Sequence, residues 1–231
     1  MTFLLTNNFF VDSETWKMIL VNGVGETLYM TLASSLIAYI IGVPLGVLLV
    51  VADKGGISPY PKLQMILGTI VNLVRSVPFL LLIVLAMPLT RFFVGTTLGS
   101  TAMVIPLAIA AAPYIGRVVE SSLREVDAGV IEAAKSMGAS NWQIIYKVIL
   151  PEAKPSLLIG AGLAVTTILG YSAMAGIIGA GGLGAYAINY GYYRGNQAML
   201  WINVVVIVII FQILQEVFMK LAKVSDKRSR S

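Results

Sequence analysis

The stretch IEAAKSMGASNWQIIYKVILP, residues 131–151, is a polar interruption in a chain that is otherwise strongly apolar. Across all 231 residues, 58% are hydrophobic and 12% are charged. Soluble domains carry about 25% charged residues. The composition therefore indicates a membrane protein, and the stretch predicts a segment that lies outside the bilayer.

The chemistry of this segment predicts two short helices joined by a glycine turn. Asp127 is placed to cap the first helix, and Gly138 falls where a helix end needs a left-handed residue. Ser140 and Gln143 form the capping-box pattern that opens a second helix, and Pro151 limits its extension. The second helix is expected to have an apolar face, made of Trp142, Ile144, Ile145, Val148 and Ile149. An interfacial helix lying along the membrane surface is the alternative interpretation.

Charge-poor intervals elsewhere are long enough to cross a bilayer, which takes about 20 apolar residues. We expect an all-α polytopic membrane protein with five transmembrane helices, at about 25–51, 63–88, 98–122, 155–178 and 199–222. Residues 1–24 then form an outer N-terminal segment and 25–222 the transmembrane domain, with a cytoplasmic loop at 127–151. Residues 223–231 form a basic cytoplasmic tail.

The basic residues predict the orientation of these helices. If the N-terminus lies outside, only Lys17, Arg91 and Arg194 are placed in outer segments. The inner loops and tail then hold the excess of positive charge that cytoplasmic segments carry, namely Lys54, Lys62, Arg124, Lys135, Lys147, Lys154, Lys220, Lys223, Lys227, Arg228 and Arg230. The net charge of +5 is explained by this asymmetry, so no nucleic-acid partner is expected.

The polar stretch matches a known motif. Glu132-Ala133-Ala134, then Gly138, then Ile149-Leu150-Pro151 resemble the EAA loop of bacterial ABC-importer permeases. Three further stretches look like the permease subunit of methionine importers: NLVRSVPFLLLIVLAMPLTRFFVGT (72–96), AAPYIGRVVESSL (111–123) and GYSAMAGIIGAGGLGAYAINYGY (170–192). The resemblance covers most of residues 25–222, and the first 20 or so residues match nothing in it.

The resemblance implies a type I ABC importer permease fold, in which the loop docks on a separate ATPase. The coupling residues it implies are Glu132, Ala133, Ala134, Gly138, Ala139, Trp142, Leu150 and Pro151. The small alanine side chains keep the docking helix narrow. Glu132 can form an ion pair with a basic residue of the ATPase. Further implied partners are a second copy of the chain, two ATPase subunits carrying ATP and magnesium, and an extracellular or periplasmic substrate-binding protein.

The chain shows no energy source of its own. Its carboxylates fall at or near the ends of the predicted spans, whereas ion-coupled carriers place such groups within them. No Gly-Lys dipeptide occurs, so the phosphate-binding loop of an ATPase is absent, and the chain has no Cys and no His. We therefore expect a subunit that is not an enzyme and that binds no cofactor or metal.

GAGGLG at 179–184 fits the dinucleotide-binding pattern GxGxxG. That pattern needs a strand before it and an acidic residue about 20 positions later. Here a predicted span precedes it and an apolar stretch comes after it. We interpret the glycines as a tight re-entry on the outer side.

The fourth span carries candidate pathway residues. Gly162, Thr166, Gly170 and Met174 recur at every fourth position, so we expect them to share one face of the helix, with Thr167, Tyr171 and Ser172 beside or near it. Two interpretations stay open: close packing of helices through small residues, or the lining of a dimer's central path. In the second, Thr166, Gly170, Tyr171, Ser172 and Met174 line the pathway and Met174 is a flexible gate. The fourth span lines the pathway in the family that the chain resembles.

Arg75 is the charge that lies well inside a predicted span. It can snorkel or cap a break in the helix, and it can also pair across the bundle or meet a carboxylate in transit.

We conclude that the sequence resembles the permease subunit of an ATP-driven importer in the bacterial cytoplasmic membrane, with methionine as the expected substrate and alternating access as the mechanism. A permease for another amino acid or a small osmolyte is the alternative within this class. From a different class, a passive channel would conduct without a partner. An intramembrane enzyme would need paired carboxylates, His or an activated nucleophile, which the spans do not offer.

Overall fold

The computed structural model describes residues 13–226, and within this range the chain forms helices and no strand. The α-helices are α1 (Ser13–Lys17), α2 (Val24–Val51), α3 (Pro61–Ser76), α4 (Phe79–Val94), α5 (Ser100–Arg124), α6 (Ala128–Ser136), α7 (Asn141–Ile144), α8 (Leu150–Glu152), α9 (Lys154–Ala175), α10 (Gly182–Tyr186) and α11 (Gln197–Ser225). Wider π turns cover Met18–Gly23, Ile145–Ile149 and Ala187–Tyr192, and a 3-10 turn covers Gly176–Ile178. Residues 1–12 of the predicted outer segment, and Lys227, Arg228 and Arg230 of the predicted tail, lie outside the described residues.

Within residues 13–226, four helices are long and apolar enough to cross a membrane, and they overlap four of the five predicted spans. Their ranges are Val21–Val51, Ser100–Arg124, Lys154–Ile178 and Gln197–Ser225. The bent pair α3 and α4 gives a fifth span when it is taken as one. The described part of the chain is therefore all-α with four to five candidate spans.

In place of one helix over 63–88, the structure has two helices, α3 and α4, with a break at Val77 and Pro78. Pro78 explains the break because it has no N–H and disfavours helical geometry in the residue before it. Val77 is accordingly extended, with φ −76° and ψ 125°. The chain becomes helical again where the N–H of Leu82 donates to the carbonyl oxygen of Pro78 at 3.0 Å.

The described residues divide into two compact units. The first contains residues up to 36, 78–109 and 165–214. Its interior has two buried apolar clusters, one of Met30, Ile83, Met103, Leu107, Ala175 and Ala180 and the other of Ile19, Leu169, Leu183, Met199 and Ile210.

The glycine-rich segment 179–184 forms a tight turn within this first unit, as the sequence predicts. Gly179, Gly181 and Gly182 have φ of 89°, 84° and 75°, which side chains other than glycine rarely adopt. The carboxylate of Glu26 accepts a hydrogen bond from the Gly182 N–H at 2.5 Å, and the Thr27 hydroxyl oxygen accepts one from Leu183 at 2.9 Å. These side chains satisfy backbone groups that the turn leaves without helical partners.

The second unit contains residues 37–77, 110–164 and those after 214. Within it, α2 and α5 pack closely against each other at glycine residues. A Cβ atom added to Gly46 would lie 2.6 Å from the carbonyl oxygen of Gly116 and from Val119. Close helix contacts through small residues are typical of membrane proteins, because van der Waals packing drives helix association there.

This contact predicts that Gly46→Ala destabilises the protein. The new methyl group overlaps the Gly116 carbonyl oxygen and the Val119 side chain of α5, and overpacking costs about 1–3 kcal/mol. We expect the thermal unfolding midpoint of the detergent-purified protein to fall by several degrees. Gly25→Ala is the matched control in the same helix, since no atom lies within 4 Å of its added Cβ. Equal midpoints for the two variants would contradict the contact.

Candidate functional site

The 127–151 segment has the helix, glycine turn and helix that its sequence predicts. The Asp127 carboxylate caps α6 by accepting a hydrogen bond from the Gly129 N–H at 2.7 Å. Gly138 has φ 77°, and no atom lies within 4 Å of an added Cβ, so the backbone conformation selects glycine there. The Ser140 N–H donates to Gln143 Oε1 at 2.8 Å, and the Gln143 N–H donates to Ser140 Oγ at 3.3 Å. The predicted capping box is confirmed.

The second helix of the segment extends through a π turn. After α7, the helix continues through the π turn Ile145–Ile149 into α8. It ends at Glu152, and Ala153, two residues past Pro151, is its C-cap residue. Pro151 has no N–H to donate to the carbonyl four residues earlier. The π turn lies directly before it, where an α-helix would leave that carbonyl unpaired.

Three apolar residues anchor the segment. Ala134, Ile144 and Ile149 are buried, and Ile144 has no exposed surface. The predicted apolar face is wrong at Trp142, whose side chain is 72% exposed. Positions 142 and 144 are two residues apart, so on a helix they point in nearly opposite directions. Ile144 is buried, and Trp142 consequently faces away.

The segment also carries large exposed apolar side chains, which together we call the coupling face. It consists of Val130, Met137, Trp142 and Tyr146. Trp142 and Tyr146 are four residues apart and share one helix face. Large exposed apolar side chains at a polar segment mark an interaction site, and Trp, Tyr and Met are enriched in interface cores.

The coupling face includes residues that the sequence reasoning missed. Met137 is 81% exposed and lies in the glycine turn, while Val130 and Tyr146 flank it. The signal available for Tyr146 was its spacing of four from Trp142. Of the implied coupling residues, Glu132, Ala133 and Pro151 are exposed, whereas Ala134 is buried and acts as an anchor.

A group of charged side chains lies directly before this segment, at the end of α5. Glu120 is buried and pairs with both Arg117 at 2.6 Å and Arg124 at 2.9 Å. Arg124 also pairs with Asp53 at 2.7 Å. Hydrogen bonds from Arg124 and from the Lys54 N–H hold the pKa of the Asp53 carboxyl below its usual range. The sequence placed these carboxylates near span ends but carried no sign of their pairing.

The candidate pathway residues of α9 do not share one face. Thr166 is buried and Gly162 is close to Phe218, whereas Gly170 and Met174 are exposed. A four-residue spacing drifts by about 40° per step on a helix of 3.6 residues per turn. Gly162 and Met174 are three steps apart and therefore about 120° apart around the axis.

Exposed residues on and just after α9 are instead separated by four, seven, four and three positions, which keeps them on one side of the helix. This exposed row consists of Ile159, Leu163, Gly170 and Met174 on α9 and Ile177 in the 3-10 turn that follows. Ser172 is buried, and its hydroxyl donates to the Leu169 carbonyl oxygen at 2.8 Å. Tyr171 stacks on Phe79, with ring centroids 4.2 Å apart and planes at 10°. Of the predicted pathway residues, Gly170 and Met174 are thus the exposed pair.

Arg75 lies in the last turn of α3, two residues before extended Val77. A cation in this position interacts favourably with the carboxyl end of a helix. Its side chain is exposed, and within residues 13–226 it forms no ion pair. This position agrees with the interpretation of a charge at a helix break.

The comparisons with known proteins agree with this architecture. The chain is 44% identical over 203 residues to the probable D-methionine transport system permease protein MetI of Pasteurella multocida (strain Pm70), which covers 88% of this chain and 94% of the relative. It is 47% identical over 164 residues to the D-methionine transport system permease protein MetI of Escherichia coli (strain K12), covering 71% and 76% of the two chains.

A solved structure is similar over nearly the whole chain. It is a chain from the inward facing conformations of the MetNI methionine ABC transporter, native crystal form, with a TM-score of 0.91 and 42% identity. The match covers 94% of this chain and 100% of that one. The sequence model described as binding-protein-dependent transport system inner membrane component matches residues 38–230. This chain therefore belongs to the family of binding-protein-dependent transport system inner membrane components.

Proposed function

We propose that this chain is the transmembrane permease subunit of an ABC importer for methionine. The relatives named as D-methionine permeases, at 44% and 47% identity, support the substrate. The similarity to a chain of the MetNI methionine transporter supports the assembly with an ATPase. The observation that carries the proposal is the coupling face, a set of exposed apolar side chains on a segment that buried residues anchor.

In this proposal the coupling face docks on a separate ATPase. Trp142 and Met137 supply apolar contact area, and Glu132 supplies a charge for a basic residue of the partner. Gly138 sets the angle between α6 and α7, so that both helices meet one docking groove. Buried Ile144 and Ile149 fix the segment to its own chain, which lets a force applied at the coupling face reach the helices.

The proposed assembly contains two copies of this chain and two ATPase subunits, with a binding protein that delivers methionine from outside. The N-terminus lies outside, and the coupling segment, residues 127–151, lies in the cytoplasm with the basic tail. ATP and magnesium are bound by the ATPase, and this chain itself catalyses no reaction. ATP binding favours one of two states of the paired permease, and hydrolysis returns it to the other.

The pathway in this proposal runs along α9. Gly170 and Met174 are exposed in a single protomer, and Tyr171 is held in place by its stack on Phe79. Met174 is suited to a gate because its unbranched thioether side chain adapts to irregular gaps. Buried Thr166 and Ser172 support α9 from behind the exposed row.

The first prediction concerns docking affinity. Trp142→Ala removes the largest exposed side chain of the coupling face. We expect about 30-fold weaker binding of the purified ATPase to the permease in nanodiscs, since interface hot spots contribute about 2 kcal/mol or more. Trp201→Ala is the matched control, because Trp201 is 59% exposed and lies on α11. Equal affinities for both variants would exclude Trp142 from the interface.

The second prediction concerns the geometry of the segment. Gly138→Pro is expected to abolish assembly or coupling, because proline requires φ near −65° and Gly138 has φ 77°. Glu132→Arg is expected to do the same through charge reversal, with the helical fold intact by circular dichroism. Gly195→Pro places the same conflict in a turn with φ 68° outside the segment and should still co-purify with the ATPase. Full transport by both segment variants would refute the docking assignment.

The third prediction concerns the gate. Met174→Ala shortens the side chain at the exposed row and should raise ATP hydrolysis in the absence of substrate or lower transport per ATP hydrolysed. Met65→Ala, at a methionine 63% exposed on α3, is the control and should behave as the unmodified protein does. Unchanged basal hydrolysis, coupling and transport in Met174→Ala would show that Met174 is not a gate.

A further inference from the structure

We propose that Arg124 and Asp53 are positioning residues that transmit movement of the coupling segment to α2 and α3. This inference rests on the proposed function, because it concerns the movement of the permease helices once the ATPase has docked. The residues involved form the charge cluster, which consists of Asp53, Asn72, Arg117, Glu120 and Arg124.

Arg124 is rigidly connected to the coupling segment. It is the last residue of α5 and lies three positions before Asp127, whose side chain caps α6. The short link is itself ordered, since the Val126 N–H donates to the Leu123 carbonyl oxygen and the Val126 side chain is buried. A displacement of α6 is therefore expected to move the end of α5 as well, because the short link between them is ordered.

Glu120 is the centre of the charge cluster. Its side chain is 8% exposed, and its two carboxylate oxygens are bound by different arginines, Oε2 by Arg117 and Oε1 by Arg124. A buried carboxylate needs such partners, because removing either one leaves a charge uncompensated. Glu120 therefore holds the two guanidinium groups in a fixed relation along α5.

The two arginines connect Glu120 to other helices. Arg124 Nη1 donates to Asp53 Oδ2 at 2.7 Å, and Asp53 is the second residue after the end of α2. Arg117 Nη2 donates to Asn72 Oδ1 at 2.9 Å and to the Gly68 carbonyl oxygen at 3.3 Å, both on α3. Charge-assisted hydrogen bonds of this kind are short and directional. They join the ends of α2 and α5 to the middle of α3.

Packing between the loop after α2 and α6 is incomplete. Residues of both, among them Gly55, Ile57, Ile131 and Lys135, line a cavity of about 240 Å³. The pair of Arg124 with Asp53 gives a direct polar link from the end of α5 to the loop after α2.

The ion pair of Arg124 with Asp53 is better suited to transmitting movement between helices than to stabilising the fold. Its side chains are 46% and 29% exposed, and ion pairs exposed to this extent contribute little to folding. Because its pKa is held below the usual range, Asp53 stays ionised at neutral pH and the pair persists there. Breaking the pair should therefore leave a folded, docked permease whose α2 no longer moves with the coupling segment.

The test uses Asp53→Asn in the complete complex of permease, ATPase and binding protein, reconstituted in liposomes. Asparagine keeps the shape of the side chain and removes its charge. We expect ATPase affinity within about twofold of the unmodified complex, and substrate transported per ATP hydrolysed to fall about fivefold, the lower end of typical allosteric coupling. Asp53→Glu keeps the charge and should restore transport per ATP to within about twofold.

Two further variants complete the test. Glu216→Gln removes the exposed ion pair of Lys220 and Glu216, which are 3.5 Å apart within α11. Because both residues lie on the same helix, transport per ATP hydrolysed should not change. Arg124→Lys keeps the positive charge beside Glu120, but one ammonium group cannot keep the forked contacts with both carboxylates. Arg124→Lys should show the same loss of transport per ATP hydrolysed. It replaces Asp53→Asn in the test if the Asp53→Asn protein is produced in too low an amount.

Unchanged transport per ATP in Asp53→Asn and Arg124→Lys would overturn the inference. Loss of ATPase affinity in Asp53→Asn would also overturn it, because Asp53 would then act in docking. So would equal losses in Asp53→Asn and Asp53→Glu, since charge would not be the cause. Failure of the proposed function has a different signature: Trp142→Ala would bind the ATPase normally, whatever the Asp53 variants do.

Discussion

A bilayer contains no water to pair with peptide groups, and this constraint explains most of the fold. Every backbone N–H and C=O within the membrane needs a partner in the protein, so the spanning segments are helices. Where a helix breaks or turns, other groups of the protein pair with the backbone groups that lose their helical partners. At the turn around Gly181, the N–H groups of Gly182 and Leu183 donate to the side chains of Glu26 and Thr27. At the break before Pro78, the Val77 N–H donates to the Val74 carbonyl oxygen at 3.2 Å.

The coupling segment lies outside the predicted spans, and in the proposed assembly it docks on another protein. One side is secured by buried Ile144, and the other leaves Trp142 exposed. The capped starts of α6 and α7 and the left-handed Gly138 determine the shape before any partner binds. A preformed docking surface loses less conformational freedom on binding than a flexible one. The charge cluster then connects this surface to helices that lie outside the segment.

Local chemistry could be predicted from the sequence in detail, and relations between distant residues could not. The capping box at Ser140 and the turn at Gly138 depend on residues within a few positions, so their spacing predicted them. The ion pair of Asp53 with Arg124 joins residues 71 positions apart, and a single sequence carries no signal for it. The break at Pro78 was missed because the hydrophobic length favoured one continuous span, although proline supplied the contrary signal. The direction in which a helical residue points was also predicted poorly: a spacing of four does not align Gly162 with Met174, because the helical drift separates them.

The claim on which the proposed function depends most is that the coupling face contacts the ATPase. The chain contains no cysteine, so a single introduced thiol gives an unambiguous cross-linking position. The decisive measurement is photo-cross-linking to the ATPase from a benzophenone maleimide attached to Met137→Cys in the assembled complex, with Trp201→Cys labelled in the same way as the comparison. We expect a cross-linked permease–ATPase band for Met137→Cys and none for Trp201→Cys. No band for Met137→Cys in a complex that still transports methionine would contradict the claim.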